Sequence, residues 1–142
     1  AEPKSGPPPG VEFATIGFLP PREDLYASCN ARLLRMVERG AVAEVEAAFE
    51  LYAKRRQHHG GAESPIMKAL GASHFHAYSN GELTLEIAIE KAQQATRQYA
   101  KRQMTWFKNN FISEITINEK YSEKTETKIF AFIRQKLLTR NS

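Results

Sequence analysis

Apolar residues recur three and four apart along most of this chain, the spacing of helices, and two short stretches depart from it. Val11 to Leu19 (VEFATIGFL) is β-leaning and mostly apolar, which predicts a buried strand; Pro20-Pro21 stops it. Arg22-Glu23-Asp24 opens a helix with acids in its first turn, where they suit the helix dipole. Leu25, Cys29, Leu33, Met36 and Val37 make a core stripe on it, and Gly40 caps it. A second helix turns Val42, Val45, Ala48, Phe49 and Tyr52 inward. Lys54 to Glu63 (KRRQHHGGAE) reads as a polar loop. Ser64-Pro65 reads as a cap with a first-turn proline, opening a short apolar helix that Gly71 interrupts. Ala72 to Tyr78 is expected to be helical and to end at the turn Ser79-Asn80-Gly81.

Thr84 caps the longest predicted helix, Leu85 to Asn109. A capping box would place Glu three residues on, where Ile87 stands; Glu86 still favours the dipole end. Leu85, Ala88, Ile89, Ala92, Ala95, Tyr99, Trp106 and Phe107 share one face at about 100° per residue. Gln94, Arg97, Lys101 and Lys108 fall opposite, so one face packs and the other carries a basic stripe. Gln103 lies within the apolar arc, either as a core hydrogen-bonding device or as a site residue. Ile115 and Ile117 then flank Thr116 in a short strand, Asn118 to Glu126 reads as a charged turn, and Lys128 to Leu138 is a last helix. The two strands, near residues 12–18 and 113–117, are expected to lie in one sheet as short buried parallel strands do. The chain is thus predicted to be mainly α-helical with two short strands.

Composition narrows the class. A chain of 142 residues, 42% hydrophobic and 25% charged, is one globular domain or part of one. No apolar run approaches the roughly 18 residues of a membrane span. Residues 1–10 (AEPKSGPPPG) read as a linker or loop; they lack the apolar middle of a signal peptide and do not begin with Met. A single cysteine, Cys29, forms no internal disulfide, which points to a reducing, cytoplasmic setting. Lys91, Arg97, Lys101, Arg102 and Lys108 lie in one window without an acid. That window carries +5 against a net charge of +4, so the remainder nets −1. Such a stripe suits a polyanion such as nucleic acid or a phosphate-bearing ligand; the plain alternative is a solvated helix face.

Other chemistry is missing. The chain has no Gly-x-x-x-x-Gly-Lys-Ser/Thr loop, no Gly-x-Ser-x-Gly elbow and no metal-type cysteine pairing. His58-His59 sits beside glycines, and His74 and His76 point apart on a helix, so locally bonded histidines are favoured over a metal site. Cys29 on an apolar stripe reads as a core thiol rather than a nucleophile.

Residues Ala95-Thr96-Arg97-Gln98-Tyr99-Ala100-Lys101-Arg102-Gln103-Met104-Thr105-Trp106-Phe107 resemble the late helix of the tRNA dimethylallyltransferase (tRNA isopentenyltransferase) family. Asn80-Gly81-Glu82-Leu83-Thr84-Leu85-Glu86 with Ala88-Ile89-Glu90 resembles that family's turn into the helix. Pro65-Ile66-Met67-Lys68-Ala69-Leu70-Gly71 resembles its Pro-x-x-x-Ala-Ile-Gly segment. Leu19 to Tyr26, Arg32, Met36 and Gly40 to Val45 resemble the preceding helix pair. Together these cover about residues 11–110 in order.

The resemblance implies an α/β parent fold of the P-loop kinase type with a helical insertion. The parent enzyme moves a dimethylallyl group from its diphosphate to N6 of the adenosine 3′ of a tRNA anticodon, with Mg2+ on the diphosphate. The phosphate loop, the catalytic Asp and the insertion precede this region in the family. Residues 11–142 are therefore expected to be the C-terminal part of the catalytic domain, inactive alone, with no cofactor of its own and no metal site, in a monomeric parent. By the resemblance, Arg32 is the arginine facing the active site and would contact diphosphate; a helix-surface Arg is the alternative. A guanidinium suits that task by its forked, permanent charge. Pro65, Ile66, Met67, Lys68, Ala69, Leu70 and Gly71 match one tRNA contact. Ala95, Thr96, Arg97, Gln98, Tyr99, Ala100, Lys101, Arg102 and Gln103 match the other. Trp106 would either stack on a base or pack in the core, the latter favoured by its place on the apolar face. Ala72-Ser73-His74 stands where the family usually has Tyr-Arg-Glu, and Ser28 where Arg is commoner, so positive charge is lost at both points. Two other readings are a stand-alone RNA-binding helical module and a helical adaptor whose stripe meets an acidic protein.

Overall fold

The computed structural model describes residues 11, 13–59 and 69–139. In chain order it has β1 (Ile16–Phe18), α1 (Arg22–Glu38), α2 (Ala41–His59), α3 (Ala72–Ser79), α4 (Leu85–Asn110), β2 (Ile115–Ile117) and α5 (Glu123–Thr139). The chain divides into two compact units: Arg22–Gln103, and the two flanks formed by residues 1–21 and 104–142. Helix α4 runs from the first of these into the second.

The unit Arg22–Gln103 is helical. Its core joins Leu33 of α1, Phe75 of α3 and Ala88 and Ala92 of α4, with Val37, Val42, Val45, Tyr78, Leu83 and Ile89 packed around them. The predicted inward face of α2 holds, with Phe49 buried and Val42, Val45, Ala48 and Tyr52 half-buried. On α1 only Leu33 is fully buried; Met36, expected inside, is exposed. Both central α4 core residues are alanines at 0% exposure, so α4 is approached closely by its neighbours there.

Turn chemistry explains where the helices stop. Gly40 takes a positive φ of 96° after α1. After α3, Glu82 N–H bonds to Ala77 C=O and Gly81 N–H to Tyr78 C=O, both at 2.9 Å, the paired bonds of a Schellman ending. Thr84 caps α4 as predicted, its Oγ1 accepting from Ile87 N–H at 3.4 Å. The Glu86 carboxyl is held below its ordinary value by a bond from its own backbone N–H and by the Thr84 hydroxyl.

Three boundaries differ from expectation. Strand β1 keeps only Ile16–Phe18 of the predicted Val11–Leu19, and Val11, Phe13, Ala14 and Phe18 are exposed rather than buried, because the partner strand offers only Ile115–Ile117 to pair with. Helix α2 continues to His59, so the polar run after Lys54 is not a loop over its first six residues, 54–59. Nothing apolar is required to extend a helix, and Lys, Arg and Gln are all good helix formers. Helix α5 begins at Glu123, not Lys128. Ser122 precedes it, and Thr125 Oγ1 accepts from Ser122 N–H at 2.8 Å and donates to Ser122 C=O at 2.6 Å. Thr125 thus takes the part that Glu or Gln plays in a capping box, and it is wholly buried. The expected linker, residues 1–10, and the predicted cap and helix start at Ser64-Pro65 lie outside the described residues.

In the flanking unit β1 and β2 pair in parallel, Ile16 opposite Ile115 and Phe18 opposite Ile117, as the sequence predicts. Gly17 is needed here for closeness: a Cβ would stand 2.9 Å from Ser113 Oγ. Phe107 and Phe111 stack with centroids 4.6 Å apart at the end of α4. Phe13, Ile112, Phe130 and Leu137 are exposed, Ile112 at 90%.

Lys136 of α5 pairs with Glu114, whose N–H also bonds to Thr15 C=O at 3.0 Å. The Lys136 hydrogen bond holds the Glu114 carboxyl below its ordinary value, with desolvation opposing and the Lys136 charge and a Thr15 backbone bond adding. A lowered folded value means this contribution is present above the ordinary carboxylate range and is lost as pH falls through the folded value. The wild-type urea midpoint is therefore expected to fall more between pH 5 and pH 3 than that of Glu114→Gln, an expectation that equal slopes in the two proteins would contradict.

Candidate nucleic-acid interface

The interface is built on α4. Its acid-free window places Lys91, Gln94, Gln98, Lys101 and Arg102 at the exposed surface within the helical unit. On the opposite side Ala88, Ala92 and Ala100 are buried. Thr96 Oγ1 bonds to Ala92 C=O at 2.8 Å, which satisfies its hydroxyl within the helix. The guanidinium of Arg102 lies 5.6 Å from the centre of the Tyr99 ring, a cation–π distance, and that ring is itself exposed. An exposed aromatic beside a cation is the pairing that single-stranded bases use for stacking and their phosphates for charge.

Arg97 departs from the expected stripe. It is half-buried, and its Nη1 donates to Asn30 Oδ1 of α1 at 3.0 Å. At 100° per residue Arg97 lies about 145° from the centre of the apolar face, so periodicity alone points it outward, and its burial comes from α1, which reaches it through Asn30. Tyr99 and Gln103, placed on the packed arc by periodicity, are exposed. Gln103 therefore needs no buried partner. Trp106, which its place on the apolar face predicts to pack in the core, is 63% exposed on the part of α4 that belongs to the flanking unit, and Lys108 on that part is exposed as predicted. Asn110 Nδ2 bonds to Trp106 C=O at 2.8 Å and closes the helix there.

The second predicted contact is described from Ala69 onward; Pro65, Ile66, Met67 and Lys68 lie outside the described residues. Ala69 and Leu70 are exposed, and Gly71 is buried at the start of α3 with φ 88°. A Cβ on Gly71 would stand 3.0 Å from Ala92 Cβ. This approach sets the end of the 65–71 segment against α4 at Ala92, one turn before the matched stretch Ala95–Gln103. Arg32 is exposed on α1.

Of the histidines, His76 is held by packing between helices. His76 stacks on Phe49 with centroids 3.9 Å apart and has Asn80 Nδ2 3.4 Å from its Nε2. Among the described residues no three His, Cys, Asp or Glu side chains converge to hold a metal ion. Cys29 is half-buried and free. A shallow depression of about 550 Å³ lined by Gly40, Val42, Ala43, Glu46, Tyr78, Ser79 and Gly81 carries an acid and does not suit a polyanion. No described helix is long and apolar enough to cross a membrane.

Comparison with known proteins places the chain in a family. The IPP transferase family model matches residues 1–110. A tRNA dimethylallyltransferase of Rhodospirillum centenum is 48% identical over 108 residues, 75% of this chain and 32% of that protein. One of Paramagnetospirillum magneticum is 41% identical over 138 residues, 97% of this chain and 41% of that protein. Two solved structures share the fold. The tRNA isopentenylpyrophosphate transferase of Bacillus halodurans has a TM-score of 0.67 at 30% identity, over 94% of this chain and 42% of that one. The Staphylococcus epidermidis tRNA delta(2)-isopentenylpyrophosphate transferase gives 0.66 at 33%, over 86% and 38%. The chain spans less than half the length of these relatives and covers their C-terminal part. With the family model matching well over half of its residues, the chain belongs to the IPP transferase family.

Proposed function

We propose that this chain is the C-terminal part of a tRNA dimethylallyltransferase, a cytoplasmic and monomeric enzyme that transfers a dimethylallyl group from dimethylallyl diphosphate to N6 of the adenosine 3′ of the anticodon. The carrying observation is α4: within a family member, one helix holds Lys101 and Arg102 at its surface with an exposed Tyr99 between turns and no acid from Lys91 to Lys108. Phosphates anchor to such cations, while bases stack on aromatic faces. In the reaction the N6–carbon bond forms as the carbon–oxygen bond to diphosphate breaks, and N6 gives up a proton to a base outside this sequence. Charge gathers on the leaving diphosphate, where the exposed Arg32 guanidinium would help. A Mg2+ on that diphosphate would take most of its ligands from the substrate and water, as this ion does when it binds phosphates.

The parent is an α/β domain of the P-loop kinase type, with the phosphate loop and catalytic Asp outside this sequence. Two features support that reading. A parallel pair of three-residue strands is too little for a free-standing sheet, and parallel sheets are covered on both faces. Exposed Phe13, Ile112, Phe130 and Leu137 of the same unit suit further strands and helices from the parent.

The test pairs turnover with binding. The enzyme carrying the whole catalytic domain should modify an anticodon stem-loop with dimethylallyl diphosphate, and this chain alone should not. Replacing Arg97 and Lys101 by Ala in that enzyme should weaken stem-loop binding and lower its salt slope by about one unit per lost phosphate contact. Turnover by the isolated chain would overturn the assignment of chemistry to the rest of the enzyme. Wild-type affinity and slope in the double variant would instead fit a solvated face or an adaptor surface.

A further inference from the structure

A free arginine on a helix samples many rotamers and gives up that freedom when it binds a phosphate. Arg97 is already committed: it is half-buried, with Nη1 bonded to Asn30 Oδ1 at 3.0 Å, across 67 positions of sequence and from α4 to α1. The partner's chemistry matters. A carboxylate is the usual strong partner of a guanidinium and would hold it equally well. It would also cancel the charge that a phosphate requires. An amide oxygen orients the group and leaves the charge intact, with the remaining N–H donors of the fork still to be used. No acid lies on α4 between Lys91 and Lys108 to offset that charge.

We infer that Asn30 is a positioning residue for RNA: it fixes the Arg97 guanidinium in one orientation, ready for a tRNA phosphate, without neutralising it. The inference rests on the proposed RNA interface and adds a residue on α1 that the family motif on α4 does not contain.

The experiment measures salt-titrated binding of an anticodon stem-loop RNA to the enzyme carrying the whole catalytic domain. Its variants are Asn30→Ala, Asn30→Asp, Arg97→Ala and the double variant Asn30→Ala/Arg97→Ala, each checked for folding by thermal melting. Asn30→Ala is expected to weaken binding roughly threefold to tenfold, the worth of one hydrogen bond, with the salt slope unchanged. Asn30→Asp keeps the shape but pairs Arg97 with a carboxylate, so binding weakens and the slope falls by about 0.7 to 0.9. In the Arg97→Ala background, Asn30→Ala should add nothing. Independent, multiplying losses for Asn30→Ala and Arg97→Ala, or an unchanged slope in Asn30→Asp, would overturn the positioning role. The interface itself would survive that result if Arg97→Ala still lost affinity and slope. Wild-type behaviour of Arg97→Ala would overturn the positioning role and take Arg97 out of the interface, and the Arg97→Ala/Lys101→Ala variant then decides the interface itself. Should Asn30→Ala fail to fold, the slope of the isosteric Asn30→Asp decides alone.

Discussion

Replacing Phe75 by Ala is expected to remove about 3–5 kcal/mol of stability from the unit Arg22–Gln103. Phe75 is 4% exposed and sits in one cluster with Leu33, Ala88 and Ala92. Two of these partners are alanines on a rigid helix, so they have no longer side chain to turn into the space. Cavities that cannot collapse give the upper end of the range. A domain of this kind has roughly 5–15 kcal/mol in total, so the loss takes a large share of it. Phe75→Leu, which keeps most of the volume, should lose under about 1.5 kcal/mol. Urea titration of the enzyme followed by circular dichroism measures both. Similar losses for Leu and Ala would show that aromatic contacts, such as those around the buried ring, and not volume, set the cost.

The fold was legible where the pattern and the caps agreed. Ala72–Ser79 ends at Asn80-Gly81 because both turn residues do what their chemistry favours, and Thr84 begins α4 for the same reason. The parallel pairing of Ile16–Phe18 with Ile115–Ile117 followed from two short apolar runs. The start of α5 was hidden because Thr125, not Glu or Gln, closes its cap, and a threonine carries no such signal. The candidate interface was legible as residue types on one helix and less so as surface. Periodicity gives the direction of a side chain and not the extent of its neighbour. Tyr99, Gln103 and Trp106 fall within the apolar arc, yet the packed strip narrows to Ala88, Ala92 and Ala100, and these three larger side chains stay exposed. Arg97 failed in the other direction, since its partner Asn30 stands 67 residues away on a helix whose crossing no local pattern encodes.

Gly71→Val should cost about 2–5 kcal/mol and weaken stem-loop binding in the protein that remains folded. Two separate demands meet at Gly71. Its φ of 88° is a left-handed conformation, which costs an L-residue roughly 1–2 kcal/mol and a β-branched one more. A Cβ there would stand 3.0 Å from that of Ala92, which belongs to the backbone-fixed core of α4 and has no rotamer to yield, so α3 and α4 must part, at roughly 1–3 kcal/mol. Gly40 separates the two terms. Its φ is 96°, and a Cβ there meets nothing within 4 Å. Gly40→Ala should therefore carry the backbone cost alone, and Gly71→Ala that cost plus the contact. Ala92→Gly should recover the contact part in Gly71→Ala, less the roughly 1 kcal/mol that glycine costs inside a helix. Function separates them as well. Parting α3 from α4 moves the end of the 65–71 segment off the helix that carries Arg97 and Lys101, so binding should fall in the Gly71 variants and hold in Gly40→Ala. Denaturation midpoints and stem-loop affinities of the four variants measure this. Equal stability losses for alanine at both glycines, with equal affinities, would mean that backbone conformation alone sets the cost and that the approach to Ala92 does not position the interface.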